Sequence, residues 1–306
     1  MPGKVILVGA GPGNPGLLTL RGKEALMSAD TVVYDRLAGK GIIDMIPDTA
    51  EKIYVGKKSG HHSINQAEIN RILLDKALDG KTVVRLKGGD SFVFGRGGEE
   101  LELLYKNNIE FEVVPGVTSA LSVPAYAGIP VTHRGTSTSV HIVTAHTKEG
   151  KNPDIDFEKY AGIGGTLVFL MGVSMLSFIV NGLIDAGMDK YTPCAVIQDG
   201  TIPSQKKYTG TLSNIEKRAA EAKSPSVIVV GGVCELTERF DWYSKLPLYS
   251  KRIVITRHDN RPGGIKDILS ELGADVIECP CIRTEDLVDR NMALRLKREI
   301  PKHDII

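Results

Sequence analysis

Short β-branched runs alternate with amphipathic stretches along this chain, a pattern that predicts an α/β protein. The first apolar run, Val5-Ile6-Leu7-Val8, breaks into Gly9-Ala10-Gly11-Pro12-Gly13. A helix is expected after Thr19, which can cap it while Leu20, Ala25 and Leu26 face inward. Strands follow at Thr31-Val32-Val33-Tyr34, ending on Asp35, and at Ile53-Tyr54-Val55. Ser63 to Leu78 reads as a helix stopped by Gly80. Thr82-Val83-Val84-Arg85-Leu86 and Phe111-Glu112-Val113-Val114 are further strands, with a helix over Glu99 to Tyr105 between them.

A second unit opens with Val140-His141-Ile142-Val143-Thr144 and continues through strands at Thr166–Leu170, Cys194–Ile197 and Ser226–Val230, with a helix near Ser174 to Ala186. A third begins at Lys251-Arg252-Ile253-Val254-Ile255-Thr256-Arg257, followed by a helix over Gly264 to Leu272 and a strand over Asp275 to Glu278. The expected division is a glycine-loop domain over 1–134, a second α/β domain over 135–247 and a partial βαβ segment over 251–306. The last residues, Asp304-Ile305-Ile306, read as the start of another buried strand, and a segment of that length is marginal for a core of its own. A truncated fusion is therefore expected, with residues 251–306 outside the chemistry of the first two domains.

The length of 306 residues suits two domains and a smaller piece. With 42% hydrophobic and 25% charged residues, the composition is that of a globular protein. No apolar run reaches the roughly 18 residues of a membrane span, and the start has no secretory signal, so a cytoplasmic location is expected. The net charge of +1 gives no global reason to expect nucleic acid or an anionic membrane as partner. The cysteines, Cys194, Cys234, Cys279 and Cys281, have no zinc spacing, and reduced thiols and no metal site are expected.

Chemistry concentrates in three glycine-bearing loops, each directly after a strand: Gly9 to Gly13, Lys87-Gly88-Gly89-Asp90 running on to Gly98, and Pro115-Gly116-Val117-Thr118-Ser119. Strand ends of an open α/β sheet form one rim, and ligands bind there. The first loop departs from a dinucleotide fingerprint, since Asn14 stands where the third glycine belongs and Pro12 lacks an N–H. Asp35 nevertheless falls near where a ribose-binding acid would be. A nicotinamide or flavin oxidoreductase thus stays open on the residues alone. There is no P-loop signature.

Val8-Gly9-Ala10-Gly11-Pro12-Gly13-Asn14-Pro15, Thr19-Leu20-Arg21-Gly22, Val33-Tyr34-Asp35-Arg36-Leu37, Val84 to Asp90, Phe94-Gly95-Arg96-Gly97-Gly98-Glu99-Glu100 and Val114 to Ala120 resemble the motifs of the tetrapyrrole methylase family. The resemblance runs in order over residues 3 to 245. Asn14 replaces a usual Asp and Ser91 a usual Pro, both turn-compatible exchanges. The resemblance implies two α/β domains with the site in the cleft between them. It also implies transfer of methyl groups from S-adenosyl-L-methionine to carbons 2 and 7 of uroporphyrinogen III, giving precorrin-2 and S-adenosyl-L-homocysteine. Alignment of an electron-rich carbon with the S–CH₃ bond can supply up to about 7–11 kcal/mol of such a barrier.

By the same resemblance, Pro12, Gly88, Gly89, Asp90, Val93, Thr118 and Ser119 face the cofactor from the first domain, and Met171 and Gly200 from the second. Asp35 is the implied proton acceptor and Lys57 the donor. A methionine closing an apolar strand is ordinarily core, and Gly200 also fits a plain turn. Arg36, Lys58, His61, Arg96 and Arg134, with His62, could form a basic bowl for the carboxylates of the substrate, although a charge run is also simply a solvated face. The segment from Lys251 resembles the start of uroporphyrinogen-III synthases, whose first strand ends in Thr-Arg as Thr256-Arg257 does. A homodimer is implied too. A non-catalytic tetrapyrrole-binding module is the other alternative.

Overall fold

The computed structural model describes residues 2–56, 64–145, 153–256, 263–281 and 290–300. The first unit comprises β1 (Lys4–Gly9), α1 (Leu20–Met27), β2 (Thr31–Tyr34), α2 (Lys40–Ile43), β3 (Glu51–Tyr54), α3 (Gln66–Leu78), β4 (Thr82–Lys87), α4 (Gly97–Lys106) and β5 (Glu110–Val114). Its five strands run in the order β3-β2-β4-β1-β5, all parallel. Such a sheet is buried on both faces, which is why Val5, Ile6, Leu7 and Val8 are each at most 1% exposed. Ile6, Val8, Val84 and Leu86 pack with Ala25 and Leu26 of α1 on one face. Val5, Leu7 and Val83 pack with Leu73 of α3 and Leu104 of α4 on the other.

That division positions the site. Strands β1 and β4 are neighbours, yet the helices that follow them, α1 and α4, lie on opposite faces. The chain therefore leaves the carboxyl ends of the two strands for opposite faces, and ligands of open α/β sheets bind at such a rim.

Helix α5 (Ser119–Tyr126) comes next, followed by β6 (Val140–Thr144), α6 (Phe157–Ala161), β7 (Thr166–Leu170), α7 (Leu176–Asp185), β8 (Pro193–Gln198), β9 (Lys206–Thr211), α8 (Ile215–Arg218), β10 (Ser226–Val230) and α9 (Thr237–Phe240). The second sheet is mixed: its order is β6-β7-β10-β8-β9, with only the β6–β7 pair parallel. One face packs on α7 through Phe169, Ile179 and Leu183. The other receives α5: Ala120 and Val123, with Ala127 and Ile129 beyond it, join Val168, Ala195, Ile197 and Val229 in one cluster. Val93, from the second glycine loop, packs against the same cluster, so the first unit plugs into the core of the second.

The third piece is smaller: β11 (Arg252–Ile255), α10 (Ile265–Glu271), β12 (Asp275–Glu278) and α11 (Arg290–Glu299). Strands β11 and β12 pair in parallel, the arrangement a βαβ unit produces. Among the described residues, no helix is long and apolar enough to cross a membrane.

Candidate active site in the cleft between the sheets

The three glycine loops meet backbone to backbone. Gly11 and Gly89 form an antiparallel bridge, with Gly11 N–H donating to the Gly89 carbonyl at 3.0 Å and Gly89 N–H to the Gly11 carbonyl at 2.6 Å. A Cβ on Gly116 would stand 2.2 Å from the Gly89 oxygen, and one on Gly9 would stand 2.5 Å from Gly116 Cα. No side chain fits at such separations, so glycine is required at both positions. Asp90 fastens the crossing: its carboxylate accepts from Phe92 N–H at 2.8 Å and from Gly116 N–H at 2.9 Å.

Gly88 and Gly89 differ in kind. A Cβ on Gly88 would lie 2.5 Å from the Leu37 carbonyl oxygen, so that glycine admits the turn after Asp35. Gly89, at φ +68°, has the Ser119 amide nitrogen as its nearest neighbour, 3.8 Å from where a Cβ would sit. Gly89 thus keeps a face unobstructed by side chains beside the start of α5, where Thr118 caps the helix by accepting from Ala120 N–H at 3.3 Å. A bare backbone face of this kind lets a ligand approach closely.

A cavity of about 680 Å³ adjoins the loop, lined by Phe92, Phe94, Arg96, Gly97 and Gly98 from the first unit and by Thr144 and Met171 from the second. Met171 closes β7 in a left-handed conformation, φ +56°, and is 44% exposed. It is not a core methionine. Gly200 sits between Asp199 (φ 49°) and Thr201 (φ 72°), and a Cβ on it would strike the Val123 side chain at 2.4 Å. A β-branched residue at positive φ is held there only by its surroundings. This loop faces the first unit: a Cβ on Gly13 would lie 3.2 Å from Ile202. Pro12 is half-buried in the facing turn.

Asp35 stands at the carboxyl end of β2. It accepts from Leu37 N–H at 2.9 Å and pairs with Arg85 at 3.3 Å. Arg85, almost wholly buried, also reaches Glu100 at 3.2 Å, and Lys87 reaches the same Glu100 oxygen at 2.6 Å. The other oxygen of Glu100 is buried with no partner among the described residues. Burial lowers the Lys87 pKa, and the Arg85 charge adds to the effect. Gln66 Nε2 closes the network on Glu100 at 3.1 Å.

The candidate carboxylate-binding residues separate. Arg36 is exposed beside Asp35. Arg96 lines the cavity and forms a two-pronged pair with Glu99 at 2.8 and 2.6 Å, which holds the Glu99 carboxyl below its ordinary range. Arg134 lies in the turn bridged by His133 and Ser137, at the opposite end of the second sheet from Thr144 and Met171. The structure does not bring it to the cleft. Lys57, Lys58, His61 and His62 lie outside the described residues. Sequence reasoning passed over Phe92, Phe94 and Thr144 as cleft residues. Two exposed aromatics inside a glycine-rich loop were the available signal, at 58% and 42% exposed.

The geometry also bears on the dinucleotide alternative. A diphosphate cradle needs free amides after β1. Here Ala10 N–H donates to Lys87 O, Gly11 N–H donates to Gly89 O, and Pro12 has none.

Comparison with known proteins agrees with this architecture. The family model for tetrapyrrole (corrin/porphyrin) methylases matches residues 4–216. The porphyrin biosynthesis protein HemD of Ruminiclostridium josui is 55% identical over 282 residues, 92% of this chain and 56% of the relative. An S-adenosyl-L-methionine-dependent uroporphyrinogen III methyltransferase of Methanosarcina barkeri is 53% identical over 237 residues, 76% of this chain and 93% of the relative. The chain thus spans little more than half the length of the first relative and nearly all of the second. The crystal structure of uroporphyrin-III C-methyl transferase from Thermus thermophilus, complexed with S-adenyl homocysteine, is 39% identical, covers 76% of this chain and 100% of its own, and superposes with a TM-score of 0.67. With a family model matching well over half of its residues, the chain belongs to the tetrapyrrole (corrin/porphyrin) methylases.

Proposed function

We propose that this chain is an S-adenosylmethionine-dependent C-methyltransferase that converts uroporphyrinogen III to precorrin-2 by methylation at carbons 2 and 7. The observation that carries the reading is the free face of Gly89, set at positive φ beside the Ser119 amide at the start of α5, in the same strand-end loop that runs on to line a cavity with Met171. Pro12, Gly88, Gly89, Asp90, Val93, Thr118 and Ser119 would hold the cofactor, with Met171 and Gly200 opposite. When bound, its sulfonium supplies an electrophilic methyl group. The glycine crossing fixes the direction of approach, and Phe92, Phe94 and Met171 keep water from the transfer. Asp35 takes the proton that the macrocycle must lose to regain neutrality once the fully substituted carbon has been methylated, with Arg85 holding its carboxylate on the rim. Lys57 serves as donor, and Arg36, Lys58, His61 and Arg96 meet the substrate carboxylates.

The protein works as a cytoplasmic homodimer, without nucleic acid or membrane. The segment from residue 251 is the start of a uroporphyrinogen-III synthase, whose product is the substrate of the first enzyme. Incubating the chain with uroporphyrinogen III and S-adenosylmethionine tests the activity. Product masses should rise by two methyl groups. Absence of any methylated product would overturn the reading.

A further inference from the structure

The linker between the second unit and the third carries Trp242, Tyr243 and Tyr249. Tyr126, at the end of α5, packs edge-on against Trp242 and Tyr243, both at 4.9 Å, and Tyr243 against Tyr249 at 5.5 Å. At one end of this row, Asn14 of the first glycine loop donates to the Tyr126 hydroxyl at 3.3 Å. At the other, the Tyr249 hydroxyl donates to the Gln205 carbonyl.

Gln205 is the keystone of the loop that carries Gly200. Its Oε1 accepts from Thr201 N–H at 2.9 Å, and its Nε2 donates to the Tyr126 carbonyl at 3.2 Å. The Tyr243 hydroxyl donates to the Thr201 carbonyl at 3.5 Å. Thr201 is fully buried at φ 72°, a conformation that costs about 1–3 kcal/mol and persists only where neighbours over-determine it. One of those neighbours, Gln205, belongs to the loop itself, and the other, Tyr243, comes from the linker. Burial raises the pKa of Tyr126, Tyr243 and Tyr249, so all three hydroxyls remain donors at neutral pH.

The third unit in turn fixes the linker. Leu248 N–H donates to the Leu272 carbonyl at 2.9 Å, and a Cβ on Gly273 would stand 3.1 Å from Tyr249 N. Residues 246–249 are therefore gripped from both sides.

We infer that Tyr249 is a positioning residue for the cofactor cleft: through Gln205 it holds the strained loop Asp199–Thr201 against the first glycine loop. The inference rests on the proposal that this loop faces the cofactor. It makes the linker part of the methylation machinery and couples the packing of the third unit to cofactor binding.

The test is Tyr249→Phe in the whole chain, which keeps the ring and removes the donor, with Tyr249→Ala alongside. Amide hydrogen exchange at Thr201 and Gln205 is followed without cofactor, and S-adenosylhomocysteine affinity by calorimetry. The Phe variant should speed exchange at Thr201 and weaken binding, each by roughly three- to tenfold, as expected for one hydrogen bond. Its KM for S-adenosylmethionine should rise with kcat little changed. The Ala variant should lose more, so the Phe variant counts as partial rescue. Unchanged exchange at Thr201 would overturn the inference and leave the reading of the cleft intact. Faster exchange with unchanged affinity would overturn both the inference and the assignment of Gly200 to the cofactor.

Discussion

The guanidinium of Arg85 lies 3.3 Å from the carboxylate of Asp35, across the join between β4 and β2. The contact fixes an acid at the rim of the sheet while leaving about a quarter of its side chain open to the cleft. Asp35→Asn keeps the shape and cannot take a proton. Turnover at saturating cofactor should fall roughly 10²–10⁴-fold, with S-adenosylhomocysteine affinity little altered. Steady-state kinetics with calorimetry decides it, since intact turnover with weakened binding would make Asp35 a cofactor contact instead.

Two adjacent glycines should fail in different ways. Gly89→Val covers the free backbone face beside Ser119 and forces a β-branched residue to φ +68°. It should weaken S-adenosylhomocysteine binding at least tenfold, equivalent to about 1.4 kcal/mol. Gly88→Ala drives a methyl against the Leu37 carbonyl 2.5 Å away. It should cost about 1–3 kcal/mol of stability, read by denaturant titration, with a smaller loss of affinity. The opposite order of effects would place the cofactor elsewhere.

Glu100 is wholly buried and balances two cations, Arg85 and Lys87. Glu100→Leu strands Lys87 without its anion and leaves Arg85 with Asp35 alone, and should destabilise by about 3–5 kcal/mol. Adding Lys87→Met removes one stranded charge, so the double variant should recover part of the loss. Additive losses in denaturant titrations would show that the two residues do not interact.

Much of this was legible before any coordinates. Strands β1 and β4 announce themselves because a parallel sheet covered on both faces needs unbroken apolar runs. Strand β9, Lys206–Thr211, does not: it is a partly exposed edge strand starting on two lysines and containing a glycine. The rim was legible because glycines follow strands. The Gly11–Gly89 bridge was not, since nothing local ties residues 78 positions apart in the sequence. Arg85 passed as an ordinary strand residue and Lys87 as the first residue of the glycine loop. Their spacing of two puts them on one face, and that was the signal for a buried charge network. The linker tyrosines were missed because their importance lies in what they touch.

Burial pushes the Cys194 thiol from 9.0 up to about 12. The folded state therefore keeps a proton that the unfolded chain releases above pH 9. Stability from this group is fully present below pH 9 and is lost as pH rises from there to about 12. At pH 10 the loss is on the order of 1 kcal/mol. Denaturant titrations at pH 8 and pH 10 should show Cys194→Ala losing less than the parent chain between the two. Equal losses would show that the thiol does not contribute.

Helix α5 has its capped end among the glycine loops and its buried flank in the core of the second sheet. A hinge between the two halves would have to pass through a continuous, packed helix. Opening by rigid-body rotation would break either the cap region or that core, and neither break is cheap. Phe92, Phe94 and Met171, which line the cavity, are by contrast well exposed, and such side chains change rotamer without moving either sheet.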